Sequence, residues 1–409
     1  MKLAPRSMHL IALVGLVLSM LVMARPAVAA NPHALADQYI VVFKDTVADP
    51  AGKARGLAAQ HGLTLLQTYG HALKGFAAVV PPARLARLQA DPDVAYINQD
   101  QVVTIDTQTL PTGINRIDGE LSSTVSGNGS GSVNVDVAVI DTGIDLDHPD
   151  LNVVGGKNCS TGRRYDDGNG HGTHVAGTIA AKDDNQGVVG VAPGARLWAV
   201  RVLNNAGSGS WSSVICGVDW VTANASTIEV ANMSLGGSGS EPAGSGCSTG
   251  DALHDAICGS VAAGVTYVVA AGNESDDAKN HVPAAYDEVI TVSALADFNG
   301  QPGGGAAPTC RSDVDDTFAD FSNYGTDIDL IAPGVCILST WKGGGYNTIS
   351  GTSMATPHVA GAAALYKASH PGASPAQVKS ALQSAGNLNW NNVDDPDGTK
   401  EVLVNVDAF

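Results

Sequence analysis

Basic residues and closely spaced cysteine pairs are both scarce in this sequence. Its 409 residues include 22 Lys and Arg against 40 Asp and Glu, for a formal net charge of −18. A chain this acidic repels the phosphates of nucleic acid and of anionic membranes, which excludes both as expected partners but is compatible with bound cations. No Cys-x-x-Cys pair occurs, which argues against a cysteine-ligated metal site.

Long apolar runs are also rare. Residues 10–23 form one, after Lys2 and Arg6, and the small residues Ala27-Val28-Ala29 follow it. A membrane-spanning helix needs about 20 apolar residues, so this run is short for an anchor, which is the alternative interpretation. The pattern is typical of a secretory signal peptide. We therefore predict that residues 1–30 are removed and that the mature protein is secreted and has no membrane segment.

Cysteine is absent from the first 158 residues of the chain. An even number of cysteines in an exported protein predicts disulfide bonds. Six cysteines allow fifteen pairings, so their number alone leaves the connectivity open. The six are Cys159, Cys216, Cys247, Cys258, Cys310 and Cys336.

Residues 31–105 have the pattern of a small separate domain. The predicted order of its elements, β-α-β-β-α-β, is that of a ferredoxin-like α+β unit. Such a domain is either a permanent part of the protein or a propeptide that chaperones and inhibits the domain that follows. The predicted strands are 38–43, 63–69, 75–80 and 93–97, and the predicted helices are 51–60 and 83–89.

A different pattern begins after a polar, Gly- and Ser-rich segment at 106–132, which we interpret as a linker and entry loop. From residue 133 onward, apolar strands alternate with helices. This alternation predicts an α/β domain with a doubly wound, mostly parallel sheet that is buried on both faces. The predicted strands are 133–140, 197–202, 229–233, 266–271, 289–294 and 328–332, and the predicted helices are 172–181, 212–223, 251–263 and the run after Ser353.

Three reactive side chains stand at the ends of these elements. Asp141 follows the strand 133–140 at its carboxyl end, where open α/β sheets place their sites. His171 opens a glycine-flanked helix start, and Ser353 opens a run of small residues with helical character. A serine needs a base to become a nucleophile, and a carboxylate that accepts the other N–H of a histidine orients that base. The three residues therefore have complementary roles in acyl transfer.

The amide of Asn273 is suited to a fourth role in acyl transfer. Other interpretations of these residues remain open from the sequence. Asn273, together with the Ser353 N–H at a helix N-terminus, is suited to hold an oxyanion. Asn273 and Asp141 are each also compatible with turn residues. His171 and His174 are compatible with structural histidines or with the ligands of a metal-dependent hydrolase. A non-catalytic exported binding module is a further alternative.

Four segments resemble the signature segments of the subtilisin-like serine proteases, and they occur in the order of that family. The resemblance extends from about residue 112 to nearly the end of the chain, and residues 31–105 are similar to the family's inhibitory propeptide. It implies a subtilisin-like peptidase domain at 106–409, a cleavable propeptide at 31–105, and a monomer. The four segments are Asp141-Thr-Gly-Ile-Asp, His171-Gly-Thr-His-Val-Ala-Gly-Thr, Ala271-Gly-Asn-Glu and Gly351-Thr-Ser-Met-Ala-Thr-Pro-His.

The resemblance implies a role for each matched residue. Asp141 orients and stabilises His171, which acts as general base and then as general acid. Ser353 attacks the scissile carbonyl group, and Asn273 and the Ser353 N–H hold the oxyanion. The implied protein is a secreted endopeptidase of broad specificity that acts on proteins and peptides and needs no cofactor for catalysis. It would remove its own inhibitory propeptide by a cut between about residues 100 and 109.

The family binds an extended peptide as an added strand between two chain segments. Here the resemblance implies that these segments are 207–211 and 234–237. It also implies that Trp211 and Leu235 line an apolar pocket and that small residues line the pocket next to the scissile bond. The implied substrate-binding residues are Gly207, Gly209, Trp211, Ser234, Leu235, Gly236, Ala271 and Gly272.

Calcium is the cofactor that the resemblance implies. The loop 182–188 matches a calcium-binding loop of the family, although a solvated acidic turn is the alternative, and hard oxygen ligands suit Ca²⁺. The family's N-terminal ligand has no evident counterpart. The acidic segment 313–316 is expected to be a solvated loop rather than a second site. The implied ligands are the side chains of Asp150 and Asp184 and the carbonyl groups of Lys182, Gln186 and Val188.

Two cysteine pairs flank single features of the chain. Cys310 and Cys336 flank one insertion, and Cys247 and Cys258 flank the start of one helix. We predict that each of these pairs forms a disulfide bond. The remaining cysteines, at positions 159 and 216, then form the third bond.

Overall fold

A computed structural model describes residues 34–101, 108–242, 247 and 250–409. The predicted signal peptide, residues 1–30, and most of the predicted cleavage window lie outside the described residues. The chain divides into two compact units, Met1–Ile105 and Asp106–Phe409. Within the described residues, no helix combines the length and the apolar character needed to cross a membrane.

The first unit is a four-stranded antiparallel sheet with two helices. Its elements are β1 (Ala34–Phe43), α1 (Pro50–His61), β2 (Thr64–Tyr69), β3 (Gly75–Val79), α2 (Pro82–Gln89) and β4 (Val94–Gln101), with strand order β2-β3-β1-β4. Helix α1 begins after Asp49, whose carboxylate accepts the N–H of Gly52 at 2.9 Å, and it ends at Gly62, where φ is 64°. These are an N-cap and a left-handed C-cap. The predicted β-α-β-β-α-β order is confirmed.

The second unit is built on an eight-stranded sheet. The strand order is β13-β12-β10-β8-β5-β7-β6, with β14 beside β12; β13 runs antiparallel to β12, and the other neighbours run parallel. The sheet strands are β5 (Asp136–Asp141), β6 (Val153–Asn158), β7 (Arg196–Arg201), β8 (Val230–Met233), β10 (Thr266–Ala270), β12 (Ile290–Ala296), β13 (Thr317–Phe318) and β14 (Leu330–Pro333). The predicted mostly parallel sheet is confirmed.

Helices and short strand pairs surround this sheet. The helices are α3 (Thr112–Arg116), α4 (His171–Ala180), α5 (Trp211–Ala223), α6 (Ala252–Ala262), α7 (Thr352–Ser369) and α8 (Pro375–Ala385). The short pairs are β9 (Gly237–Ser238) with β11 (His281–Val282), and β15 (Ile337–Trp341) with β16 (Gly345–Ile349).

Apolar side chains of the central strand β5 alternate between two cores. Val137 and Val139 lie in the core that α4 and α7 cover, whereas Ala138 and Ile140 lie in the core that α5 and α6 cover. Successive side chains of a strand point to opposite faces, so a strand with apolar residues at every position needs helices on both sides. This arrangement confirms the predicted doubly wound class.

Residues 112–117 are not a linker, in contrast to the prediction for 106–132. They form the short helix α3 and its end, and Ile114 and Ile117 are 1% and 0% exposed within the main core. The sequence does not reveal this helix because the segment is mostly polar and only two apolar side chains anchor it in the core.

The prediction that 313–316 is a solvated loop is wrong. Asp315 and Asp316 are buried. The guanidinium of Arg116, itself buried, lies 2.6 Å from Asp316 and 3.1 Å from Asp297. Asp315 accepts the backbone N–H groups of Phe298 and Ala306. Buried carboxylates persist where a cation or N–H donors compensate for the lost hydration, and these partners are distant in sequence.

All three predicted disulfide bonds are present. Cys159 pairs with Cys216, Cys247 with Cys258, and Cys310 with Cys336. The Cα–Cα distances are 5.9, 5.7 and 5.7 Å, within the usual range for a disulfide bond. The first bond joins the end of β6 to α5, and the third ties the 297–316 loop to the residue that precedes β15.

Candidate active site

Strand β5 and helix α4 bring Asp141 and His171 together. Asp141 is the last residue of β5 and is completely buried, while His171 is the first residue of α4. Nδ1 of His171 lies 2.8 Å from Oδ1 and 2.9 Å from Oδ2 of Asp141. The N–H of Thr142 also donates to Oδ1, at 2.6 Å. The carboxylate is therefore fixed, and it holds the imidazole with Nδ1 toward the protein interior.

Asp167 organises the loop that presents His171, and sequence reasoning missed it. Its two oxygens accept five hydrogen bonds, from the hydroxyl of Thr142, the N–H groups of Asn169 and Gly170, and both the N–H and the hydroxyl of Thr173. Four of these five bonds come from residues within six positions of Asp167, and the fifth comes from Thr142, 25 positions earlier in the chain. The aspartate positions His171 without contacting it.

The electrostatics of His171 favour its protonated form. Burial lowers the pKa of His171, but the negative charge and the hydrogen bond of Asp141, with a smaller contribution from Asp167, raise it by more. The net pKa is above the ordinary value. A histidine in this state accepts a proton readily and is stabilised once it has done so.

Ser353 stands at the second position of α7. Its hydroxyl donates to the carbonyl oxygen of Ser234 at 3.2 Å, and the hydroxyl of Ser234 donates back to the carbonyl oxygen of Ser353 at 2.9 Å. In this conformation Ser353 therefore bonds to Ser234 rather than to His171. Hydrogen bonds between a nucleophile and its base are often long or absent in a ligand-free site and form when substrate binds.

Asn273 is oriented by the residue that precedes Ser353. Oδ1 of Asn273 accepts the N–H of Thr352 at 2.8 Å and the hydroxyl of Thr352 at 3.1 Å. With its oxygen held there, the amide keeps Nδ2 as the donor for another acceptor. Asn273, Thr352 and Ser353 line the same small cavity.

Two adjoining cavities form one cleft beside these residues. The larger, of about 780 Å³, includes His171 in its wall, and the smaller, of about 140 Å³, includes Ser353. Leu235 and Gly236 line both cavities. The other six predicted substrate-binding residues divide between them: Gly207, Gly209, Trp211 and Ser234 line the larger, and Ala271 and Gly272 line the smaller. Sequence reasoning missed Asn169, Leu203 and Val214, which also line the larger cavity.

His174 bonds to a backbone carbonyl oxygen, whereas His171 bonds to the carboxylate of Asp141. His174 is completely buried, and its Nε2 lies 2.9 Å from the carbonyl oxygen of Ile337. Burial lowers the pKa of His174 to about 3, so it is neutral. It therefore has the environment of a structural histidine.

The predicted calcium ligands divide into a buried and an exposed set. Asp150 is buried, and its Oδ2 accepts the N–H of Val188 at 3.0 Å, whereas Asp184 and Gln186 are exposed on the same loop. Gln108, which sequence reasoning missed, donates through Nε2 to the carbonyl oxygens of Lys182 and Val188 at 2.6 and 3.1 Å. Oδ1 of Asp150 and Oε1 of Gln108 are buried without a hydrogen-bond partner.

The chain is similar to known families and proteins over most of its length. Residues 132–399 match the subtilase family model, and residues 38–106 match the peptidase inhibitor I9 model. The chain is 40% identical to subtilisin NAT of Bacillus subtilis subsp. natto over 364 residues, which are 88% of this chain and 87% of that protein. It is 42% identical to the extracellular serine proteinase of Thermus sp. (strain Rt41A) over 391 residues, covering 86% and 85% of the two chains.

A solved structure is also similar. The crystal structure of a cold adapted subtilisin-like serine proteinase matches with a TM-score of 0.58 and 38% identity, over 73% of this chain and 98% of that chain. The family match covers more than half of the chain and includes the cleft with its aspartate, histidine and serine. The chain therefore belongs to the subtilase family of serine endopeptidases, and its N-terminal region is an inhibitor I9 propeptide domain.

Proposed function

We propose that this chain is the secreted precursor of an endopeptidase that cleaves peptide bonds through an acyl-enzyme on Ser353. The observation that carries the proposal is the 2.8 Å contact between the buried carboxylate of Asp141 and Nδ1 of His171, because His171 and Ser353 line the two adjoining cavities of one cleft. The names of relatives such as the extracellular proteinase of Thermus support secretion.

The proton follows one route in this mechanism. Rotation of the Ser353 hydroxyl away from Ser234 directs it to Nε2 of His171, which takes the proton as Oγ attacks the scissile carbonyl carbon. The resulting imidazolium is stabilised by Asp141 and gives its proton to the leaving amine as the C–N bond breaks. Water, activated by the same histidine, then hydrolyses the ester and frees Ser353.

The oxyanion of each tetrahedral intermediate is held by Nδ2 of Asn273 and the N–H of Ser353. Thr352 fixes the Asn273 amide by holding its oxygen. The Ser353 N–H lies in the first turn of α7, where N–H groups lack intrahelical partners and the helix dipole favours negative charge. Donors that are oriented in advance stabilise developing charge without reorganising.

Replacing Asn273 by alanine is expected to lower kcat by about 10²–10³ and to leave KM nearly unchanged, because the amide acts on the oxyanion and not on the bound substrate. Steady-state kinetics on a chromogenic peptide measures both constants. Asn280→Ala, at an exposed position nearby, is the matched control. A rise in KM with kcat unchanged would assign Asn273 to substrate binding instead.

The cleft fits an extended peptide. Small residues on both of its sides, at 207–209 and at positions 234 and 236, allow a substrate backbone to approach and pair as an added strand. Trp211, which is 38% exposed, and Leu235 provide an apolar surface. Because the walls of the smaller cavity include Gly236, Ala271 and Gly272, we infer tolerance of varied side chains next to the scissile bond.

The residues around Asp150 fit a structural calcium ion. Two buried oxygens, from Asp150 and Gln108, lack partners, and the carbonyl oxygens of Lys182 and Val188 converge on the Gln108 amide. Burial raises the pKa of Asp150 to about 7, as expected for a carboxylate without a cation. Calcium would link these four residues, with Asp184 and Gln186 as further ligands, and would stabilise the loop. Exchange of the amide ends of Gln108 would supply its oxygen to the ion.

Replacing Asp150 by asparagine is expected to abolish most of the stabilisation by calcium at this loop. The variant retains an acceptor for the Val188 N–H, so its melting temperature in a chelator should match that of the parent. In excess calcium it should melt roughly 5 °C or more below the parent. Asp147→Asn, exposed and nearby in the chain, is the control. Equal calcium responses in all three proteins would place the ion elsewhere.

Labelling with a fluorophosphonate tests the function as a whole. We expect intact-mass spectrometry of the secreted protein to show one adduct, on Ser353, in a species that begins between about residues 100 and 109. An unlabelled full-length chain without activity would favour a binding module. Activity that a chelator removes and the fluorophosphonate does not would favour a metal-dependent hydrolase.

A further inference from the structure

The C-terminal loop 391–401 contains a buried carboxylate whose two oxygens both lack a hydrogen-bond partner. The residue is Glu401, which is 6% exposed. Two further oxygens of the loop are buried in the same state, Oδ2 of Asp395 and Oδ1 of Asn392, and Asp395 is 8% exposed. A buried carboxylate without donors costs several kcal/mol unless it takes up a proton or binds a cation.

The loop 391–401 is strongly acidic, since it contains Asp394, Asp395, Asp397 and Glu401 against one basic residue, Lys400. Lys400 lies over the ring of Trp390, with its Nζ 5.6 Å from the ring centre. The loop thus has four carboxylates within eight residues, while its lysine packs against an aromatic ring.

The backbone of this loop is held in shape by other bonds. Nε1 of Trp390 donates to the carbonyl oxygen of Glu401 at 2.9 Å and closes the two ends of the loop. Nδ2 of Asn392 donates to the carbonyl oxygen of Gly398 at 3.2 Å, which leaves its oxygen as a ligand. Leu403, two residues on, pairs with Asn387 and with β14 of the sheet. These contacts fix the backbone from which the side chains of Asn392 and Glu401 extend.

We propose that the loop 391–401 is a second divalent-cation site, selective for calcium, in which oxygens of Asn392, Asp395 and Glu401 bind the ion. A mixed set of carboxylate and amide oxygens without nitrogen or sulfur suits a hard cation, and the irregular placement of these oxygens along a loop suits the variable coordination of Ca²⁺ better than the strict octahedron of Mg²⁺. The site lies outside the cleft and does not depend on the proposed peptidase mechanism.

Glu401→Gln tests the site, since it keeps the shape of the side chain and removes its charge. All proteins carry Ser353→Ala, so that self-digestion does not consume them, and Asp150→Asn, so that the other loop does not contribute. We expect the parent to bind one Ca²⁺ per chain more than the Glu401→Gln protein. Terbium should luminesce when excited through Trp390 in the parent and should lose most of this signal in the variant, and calcium should displace it.

The melting temperature separates a cation site from a merely structural carboxylate. In a chelator, Glu401→Gln should be at least as stable as the parent, because it removes a buried, repelled charge. In excess calcium the parent should gain roughly 5 °C and the variant almost nothing. Asp394→Asn, an equal charge change at an exposed position of the same loop, should behave as the parent. Equal calcium content and equal calcium response in parent and Glu401→Gln would overturn the proposal, and so would a loss of stability in Glu401→Gln that calcium does not influence.

Discussion

A Ser353→Ala chain is expected to lose peptidase activity by about 10⁶-fold and to remain a precursor. Without the Ser353 hydroxyl no acyl-enzyme forms, and His171 and Asp141 have no nucleophile to activate. The loss of activity is therefore expected to be close to that caused by removing all three residues. Folding should not suffer, because the hydroxyl makes one bond of 3.2 Å to the Ser234 carbonyl oxygen. Hydrolysis of a peptide substrate and the intact mass of the protein measure the two effects.

Two further measurements separate catalysis from processing. Ser369→Ala changes an exposed serine on the same helix and should mature and cleave like the parent. Mixing the Ser353→Ala precursor with active enzyme should remove its propeptide, which would show that the cleavage site is intact. Efficient maturation of the Ser353→Ala chain in a host without proteases would refute autocleavage, and residual activity near that of the parent would refute the assignment of the nucleophile.

The local sequence has a recognisable pattern at each of the three residues proposed for catalysis. Asp141, His171 and Ser353 each stand where an apolar strand or a small-residue helix meets a turn, and glycine next to them marks a close approach. At Gly172, for example, an added Cβ would lie 2.1 Å from the carbonyl oxygen of Gly143. Such steric demands act over a few residues and therefore leave a readable pattern.

Residues whose partners are distant were not predictable in this way. Gln108 meets the carbonyl groups of Lys182 and Val188, 74 and 80 positions further along the chain. The acidic segment 313–316 was interpreted as solvated because Arg116 is 200 positions from Asp316. A carboxylate in sequence carries no sign of whether water or an arginine will compensate its charge, so its burial depends on the tertiary fold.

An Asp141→Asn variant is expected to lower kcat by about 10⁴ while the fold is retained. Oδ1 of Asp141 accepts the N–H of Thr142 at 2.6 Å, so the asparagine oxygen should stay there and its NH₂ group should face Nδ1 of His171. An NH₂ group can only donate, which forces the imidazole proton onto Nε2. The nitrogen that should receive the Ser353 proton is then already protonated.

The pH dependence of the same variant distinguishes this explanation from simple loss of structure. Burial lowers the pKa of His171, and the charge and hydrogen bond of Asp141 raise it above its ordinary value. Activity requires neutral His171, so kcat/KM of the parent should rise as the pH passes through that raised pKa. Removing the Asp141 charge should move this rise in kcat/KM to lower pH, although the maximum value of kcat/KM is far lower than in the parent.

The pH dependence of folding stability should also change in the Asp141→Asn variant. A raised folded-state pKa means that His171 contributes stability below its unfolded pKa and that this contribution is lost as the pH rises through the folded value. Asp141→Asn should therefore destabilise the protein more at acidic than at alkaline pH. Asp147→Asn, exposed and in the loop that follows β5, should show neither shift. An unmoved acid limb in Asp141→Asn would mean that another group sets the protonation of His171, and the role assigned to Asp141 would be wrong.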